Sequence, residues 1–182
     1  MQDNRISLNL IMEKLNRIEK EWLAILEGSN PERIKPVVHE IRNSGSVNIL
    51  PVLFSMIHKN TDSQVRNEII NLLSEIKSQD AVPMITASLE KHDFGDYLSA
   101  VVAACWQSGL DFSNHLRVFT GLFIQADYMT ALESFTVIEE SIPFASDQEK
   151  MACIRFLKDA EFLVTDEKMP LFRELRKVVE DS

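Results

Sequence analysis

The stretch TDSQVRNEIINLLSEIKSQDAVPMITASLEKH, residues 61–92, decides the fold of this 182-residue chain. Its apolar residues recur at helical spacing on both sides of a short polar break at residues 78–80. The first stripe is Val65, Ile69, Leu72, Leu73 and Ile76, and the second is Val82, Ile85 and Leu89. These spacings predict two amphipathic helices. The break is so short that we expect them to fold back on each other as an antiparallel pair.

Copies of this pair flank it on both sides. A shift of 32 residues places Pro83 on Pro51, so residues 30–59 are interpreted as the preceding unit. Residues 94–125 and 127–160 repeat the plan more loosely. Repetition at this period is typical of α-solenoids, in which each pair buries its apolar face only against its neighbours.

Capping patterns mark the helix ends. Thr61 followed by Gln64 predicts a capping box, with Asp62 in the first turn at the positive end of the helix dipole. Pro83 suits the first turn of the second helix, where a proline loses no hydrogen bond. Asn30 is the predicted N-cap of the preceding unit.

The predicted organisation is a single domain, residues 1–182, of the all-α class. About four helix pairs occupy residues 30–160. A capping helix is expected at each end, in residues 1–28 and in residues 165–182, because a terminal unit needs one apolar and one polar face.

The pair at residues 61–92 resembles the HEAT repeats, and within them the short bacterial repeats similar to those of phycobilin-lyase-type proteins. The resemblance is carried by Asp62, Val65, Arg66, Ile69, Leu73, residues 81–85 and Leu89. In that family an aspartate in the turn and an arginine in the first helix often form a ladder between repeats, matched here by Asp62 and Arg66. The resemblance implies a right-handed α-α superhelix, and it implies no activity because no lyase motif residue can be placed.

The two terminal segments differ from the repeats. The first has the spacing of a coiled-coil seam at Ile11, Leu15, Ile18, Trp22 and Ile25. We expect this helix to cap the solenoid, whereas the alternative is self-association through it, which two heptads support weakly. The last segment has an apolar stripe at Leu171, Phe172, Leu175, Val178 and Val179.

The second half of the chain is acidic. Residues 92–149 contain nine acidic residues and one basic residue, Arg117, so their formal charge of −8 compares with −9 for the whole chain. The candidate acidic surface is Asp93, Asp96, Asp127, Glu133, Glu139 and Glu140. Such a field repels phosphate backbones and attracts basic surfaces. The alternative is a solubilising surface, since several of these acids fall at helix N-caps or in first turns.

Composition disfavours several classes of partner. The pI is near 5 and basic clusters are lacking, so we expect no nucleic-acid binding. No long apolar run and no charged segment leading into one are present, which predicts neither a membrane span nor a signal peptide. Cys105 and Cys153 fall on apolar helix faces as buried free thiols, and a cytoplasmic location is the default.

Motifs for catalysis are missing. The four histidines fall in different units, without the spacing of a zinc site, and no phosphate loop or nucleophile motif is present. We therefore expect no catalytic residue, no metal and no cofactor. Trp22 and Trp106 fall on apolar stripes and are expected in the core.

The predicted function is that of a non-enzymatic protein-binding or scaffold module that holds a basic or amphipathic segment on its concave or acidic surface. The candidate partner contacts face outward from the second helices: Val52, Met56, Lys59, Met84, Ser88 and Lys91. If these helices are rotated by one position, the same residues belong to the core. The alternative function is a small-ligand-binding protein or an enzyme with its site in the concave groove.

Overall fold

The computed structural model describes residues 15–28, 30–44, 46–58, 62–91 and 94–182, without the side chain of His58. Within these ranges the chain is all-helical and contains no strand. The ten described helices are α1 Arg17–Leu26, α2 Pro31–Ser44, α3 Leu50–His58, α4 Ser63–Glu75, α5 Val82–Lys91, α6 Leu98–Ser108, α7 Leu116–Gln125, α8 Tyr128–Ser141, α9 Asp147–Ala160 and α10 Met169–Glu180. The all-α class is thus confirmed.

The helices pack in two interleaved series. Each helix from α1 to α8 contacts the helix two places further along the chain. The odd-numbered helices therefore form one series and the even-numbered helices the other. Contacts between consecutive helices, such as α1 with α2 and α7 with α8, join the two series.

One apolar core runs through both series, from Leu15 to Val179. Phenylalanines connect successive parts of it: the ring centroids of Phe112 and Phe119 lie 5.2 Å apart in an edge-to-face arrangement, and those of Phe123 and Phe172 lie 6.4 Å apart. Such ring pairs contribute about 0.5–1.5 kcal/mol each beyond the area they bury. The Phe123–Phe172 contact ties α10 to α7, so the last helix is part of the same core.

Polar side chains cap the N-termini of α2 and α4 as the sequence predicts, with one correction. Asp62 is the N-cap of α4 itself, because its carboxylate accepts hydrogen bonds from the N–H groups of Gln64 and Val65 at 2.9 and 3.2 Å. Thr61, the predicted cap, lies outside the described residues. Asn30 caps α2 as predicted, with its side chain accepting from the N–H of Glu32.

The first described helix begins at a capping box. The Asn16 side chain accepts from the N–H of Glu19 at 3.0 Å, and the Glu19 carboxylate accepts from the N–H of Asn16 at 2.8 Å. Burial alone would raise the pKa of Glu19, but hydrogen bonds from Ser46, Asn16 and Asn48 outweigh it and hold that pKa below its usual value. Glu19 thereby ties α1 to the connection between α2 and α3.

Helix α1 buries most of its predicted apolar stripe. Trp22, Leu23 and Leu26 are buried, whereas Ile18 is 56% exposed. Leu15 is also buried and Ile25 packs partly buried against the core, so among the described residues the predicted stripe is wrong only at Ile18. Ile11 lies outside the described residues.

The last helix agrees with its prediction. Phe172, Leu175 and Val179 are buried in the core, and Leu171 and Val178 are partly buried against it. The segment of residues 165–182 thus contributes an amphipathic helix that covers apolar surface of α8 and α9.

Both cysteines are buried free thiols, which confirms the prediction. Burial raises the pKa of Cys105 to about 12 and also raises the pKa of Cys153. In the parts of the chain that the structure describes, no helix has the length and apolar character needed to cross a membrane.

Candidate functional site

The connections inside successive helix pairs lie side by side. They comprise residues 46–49, 76–81, 109–115 and 142–146, and we call them the turn edge. Lys77 Nζ donates a hydrogen bond of 2.6 Å to the carbonyl of Ser108, which links the second connection to the end of α6. The short 3-10 turns Ser113–His115 and Ile142–Phe144 contact each other. These contacts join the second, third and fourth connections, and the first connection lines one cavity together with the second.

Gln79 and Asp111 form the tightest link along this edge. The Gln79 amide nitrogen donates to the carbonyl of Asp111, and the N–H of Asp111 donates back to Gln79 Oε1 at 3.1 Å. The Asp111 carboxylate also accepts from the N–H of Ser113 at 2.8 Å. Asp111 is thus held at a defined position although it is exposed.

A cavity of about 330 Å³ opens on the turn edge beside Asp111. We call it the turn-edge cavity, and it is lined by Trp106, Gly109, Leu110, Asp111, Phe112, Val137, Glu140, Ser141 and Phe144. The floor is formed by buried residues, namely Leu110, Phe112, Val137 and Ser141. The rim is formed by exposed side chains, two aromatic and two acidic. None of the nine lining residues carries a positive charge.

Trp106 is the first aromatic residue of the rim. It is 38% exposed, so the prediction that it fills the core is wrong. Its indole Nε1 donates a hydrogen bond of 2.7 Å to Glu133 Oε2 on α8. An indole has an apolar body and one polar N–H, and it is therefore stable where one side is wet. The hydrogen bond fixes the ring at the mouth of the cavity.

Phe144 is the second aromatic residue of the rim. It is 72% exposed and ends the 3-10 turn between α8 and α9. Single exposed apolar side chains are normal on a protein surface, whereas neighbouring ones that share a cavity are typical of an interaction site. Phe144 and Trp106 together give the cavity two apolar walls that a partner can cover.

The exit of α6 shapes the floor of the cavity. The chain leaves α6 at Gly109, whose φ of +69° is left-handed and suits only glycine without strain. Ser108 Oγ donates to the carbonyl of Cys105 at 2.6 Å and accepts from the N–H of Leu110 at 3.2 Å. This fixed turn directs Leu110 inward, and Phe112 follows it into the core.

A second cavity, of about 430 Å³, lies where the connections α7–α8 and α9–α10 meet. Its buried charged residue is Lys168, whose ammonium donates to the carbonyls of Phe123, Ile124 and Ala126 at 3.0, 2.7 and 2.8 Å. Burial lowers the pKa of this ammonium, against the opposing charges of nearby carboxylates. The three N–H groups of the ammonium are all hydrogen-bonded to carbonyls at the C-terminal end of α7. Lys168 therefore caps this helix and is not a ligand-binding group.

A third cavity, of about 330 Å³, lies between α2 and α4. Its charged lining residues are Arg42, Glu75 and Lys77. Arg42 is paired with Glu75 at 2.9 Å and with Glu68 at 3.4 Å, and Lys77 donates to the carbonyl of Ser108. These ion pairs join consecutive helix pairs. They also neutralise the Arg42 guanidinium that an anionic ligand in this cavity would contact.

The predicted outward placement of the partner contacts on the second helices is wrong for three residues. Val52, Met56 and Ser88 are buried, because α3 is covered by α1, α4 and α5, and α5 is covered by α3 and α7. Met84 is half-buried and Lys91 is exposed. Lys59 lies outside the described residues.

The residues of the predicted acidic surface differ in exposure. Asp96, Asp127, Glu139 and Glu140 are exposed, whereas Glu133 is half-buried and bonded to Trp106. Asp127 is the N-cap of α8, where the hydrogen bond from the Thr130 N–H lowers the pKa of its carboxyl group. Asp93 lies outside the described residues. Among the described members of this set, Glu140 alone lines the turn-edge cavity.

Sequence reasoning missed Phe144 and the rim position of Asp111. Phe144 follows Pro143 in a connection, where no helical period assigns it to a face. An aromatic residue in a predicted connection, next to an acidic stretch, was the available signal. In the described part of the chain, no three His, Cys, Asp or Glu side chains are grouped as metal ligands would be.

Comparison of the chain with models of protein families found no match, and comparisons with curated proteins and with solved structures found none either. The resemblance to HEAT repeats therefore stays a prediction.

Proposed function

We propose that this chain is a non-enzymatic protein-binding or scaffold module that docks a basic or amphipathic segment of a partner protein at the turn-edge cavity. We further propose that its helices form a right-handed α-α superhelix of HEAT-like pairs. The alternating contacts of helices two places apart support this second proposal, because a stack of helix pairs requires them.

The observation that carries the proposed function is the composition of the rim. Trp106 and Phe144 are exposed aromatic residues on a cavity that also presents Asp111 and Glu140. Aromatic residues beside a cavity are the usual anchors of protein–protein interfaces. Carboxylates without a basic neighbour in the same cavity select for a positively charged partner.

The charge around the cavity points to the same kind of partner. Residues 92–149, which supply every lining residue, have a formal charge of −8. A field of one sign raises the association rate with an oppositely charged segment, and it does so less at high salt. A basic segment would therefore be steered toward this part of the molecule.

The size of the cavity suits side chains and not a large ligand. Pockets for small molecules span about 300–1,000 Å³, and this cavity lies at the lower end of that range. Its volume and open rim fit one or two side chains of a segment that continues along the turn edge. The neighbouring connections would then contact the rest of the segment.

The test is affinity capture from a lysate of the source organism, read by quantitative mass spectrometry at low and high salt. Three baits are compared: the unaltered chain, a site variant with Phe144→Ala and Glu140→Gln, and a control variant with Phe162→Ala and Glu139→Gln. The control removes an aromatic residue that is 82% exposed and an exposed carboxylate, both outside the cavity.

We expect a partner that the unaltered chain and the control retain and that the site variant loses. High salt should weaken its capture. If all three baits capture the same proteins in equal amounts, the proposed docking site is wrong. Circular dichroism of the three baits should agree, since the substituted side chains are exposed.

A further inference from the structure

We infer that the turn-edge cavity binds an arginine side chain of the partner. This inference rests on the proposed function and names the residue that enters the cavity. Two properties of the cavity carry it: aromatic and acidic groups share one rim, and the floor beneath them is apolar.

The rim matches the chemistry of a guanidinium group. A planar guanidinium stacks on aromatic faces, and its rigid fork donates to carboxylates. Trp106 and Phe144 supply the aromatic groups, and Asp111 and Glu140 supply the carboxylates. A neutral aliphatic side chain would leave both carboxylates beside an uncharged group, and an acidic one would be repelled.

The carboxylates are available for this contact. Asp111 accepts the N–H of Ser113 through Oδ1, and within the described residues Oδ2 has no donor. Glu140 is exposed, and in the described part of the chain it forms no ion pair. Each carboxylate therefore retains acceptor positions for an incoming cation.

The floor and the fixed rim favour arginine over lysine. Leu110 and Val137 form an apolar floor that suits the methylene stem of either residue. An ammonium is a compact, strongly hydrated charge, whereas a guanidinium is weakly hydrated and loses less on entering a partly apolar site. Glu133 already holds the Trp106 indole in place. An arginine that stacks on this ring therefore does not have to immobilise it, and binding loses less conformational entropy.

The test is a titration of the ¹⁵N-labelled full chain, followed through the indole N–H resonance of Trp106. The probes are Nα-acetyl-arginine amide, its lysine analogue and its citrulline analogue, which keeps the shape of arginine without the charge. The variant Trp106→Phe assigns the resonance. Trp22, which is buried away from the cavity, serves as the internal reference.

We expect a saturable shift of the Trp106 resonance with the arginine probe. Binding of the citrulline probe should be about tenfold weaker, and that of the lysine probe weaker by about threefold. Glu140→Gln should weaken binding of the arginine probe, and Glu139→Gln should leave it unchanged.

Equal binding of the arginine and citrulline probes would overturn the inference, and so would the lack of a saturable shift. If the arginine probe fails while the site variant still loses its captured partner, the inference is wrong and the docking function stands. If the probe binds but capture is insensitive to the site variant, the docking function fails and the cavity is an arginine site of another kind.

Discussion

The indole N–H of Trp106 on α6 donates a hydrogen bond of 2.7 Å to Glu133 on α8. A similar bond of 2.8 Å joins Trp22 on α1 to Glu40 on α2. In both cases a carboxylate on another helix fixes the indole. Trp22 is buried, however, whereas Trp106 stands at the rim of the turn-edge cavity. Trp106 is thus the tryptophan that a partner can reach.

Replacing Glu133 by alanine should loosen this indole. We expect the near-ultraviolet circular dichroism of Trp106 to fall and the captured partner to bind several-fold more weakly. The free energy of unfolding should drop by only about 1 kcal/mol, because the lost hydrogen bond is partly exposed. Glu139→Ala is the control on the same helix. An unchanged near-ultraviolet spectrum in Glu133→Ala would contradict the role of this bond.

Replacing Met56 by aspartate should destabilise the chain severely. Met56 is buried, so Met56→Asp places an unpaired charge in the core and should lower the free energy of unfolding by at least about 3 kcal/mol in urea denaturation.

Ser88 and Ala87 are neighbours on α5 that differ in burial, so substitutions at the two positions form a matched pair. Ser88 is buried and its neighbour Ala87 is exposed. Ser88→Asp should be strongly destabilising, whereas Ala87→Asp should lower the free energy of unfolding by less than about 1 kcal/mol. Equal small effects would restore the outward face that the sequence predicted for α3 and α5.

The two cysteines should be unreactive in the folded chain. With the pKa of Cys105 at about 12 and that of Cys153 also raised, neither thiol is ionised near pH 8. A thiol reagent such as dithionitrobenzoate should label both only after denaturation. Rapid labelling of one thiol in the folded chain would contradict the burial.

The same shift has a consequence for stability. In the unfolded chain a thiol ionises near its ordinary pKa of 9, earlier than in the folded chain. The free energy of unfolding should therefore be constant with respect to Cys105 below pH 9 and fall as the pH rises from 9 toward 12. Cys105→Ala should remove this part of the alkaline dependence, as measured by urea denaturation at several pH values.

Replacing Lys168 by methionine should unfold the region around the end of α7. The three carbonyls that its ammonium binds would lose their donor, and we expect the free energy of unfolding to fall by at least about 2 kcal/mol. Lys158→Met changes an exposed lysine and should alter it by less than about 0.5 kcal/mol. Similar effects of the two substitutions would refute the capping role.

The sequence predicts best what depends on neighbours along the chain. The helix pair of residues 61–92 appears as α4 and α5 because its periodicity, the carboxylate of Asp62 and the early Pro83 all act within one or two turns. The N-cap of α2 at Asn30 follows for the same reason.

Prediction fails where several helices compete for one face. Helix α3 is apolar on most sides, so periodicity does not select the face that stays exposed. Val52 and Met56 are buried because α1, α4 and α5 together cover α3. Trp106 shows the converse, since an apolar stripe does not reveal that the last turn of α6 extends to the rim of a cavity. Phe144 lies in a 3-10 turn, where no helical period applies.

The most direct test of the docking proposal is site-specific photo-crosslinking with p-benzoylphenylalanine in place of Phe144, compared with the same substitution at Phe162. Both positions are highly exposed, but only Phe144 lines the turn-edge cavity. We expect position 144 to crosslink to one partner segment of net positive charge that contains an arginine, and position 162 to leave that segment unlabelled. Equal crosslinking from both positions, or crosslinks from position 144 only to neutral or acidic segments, would contradict the account.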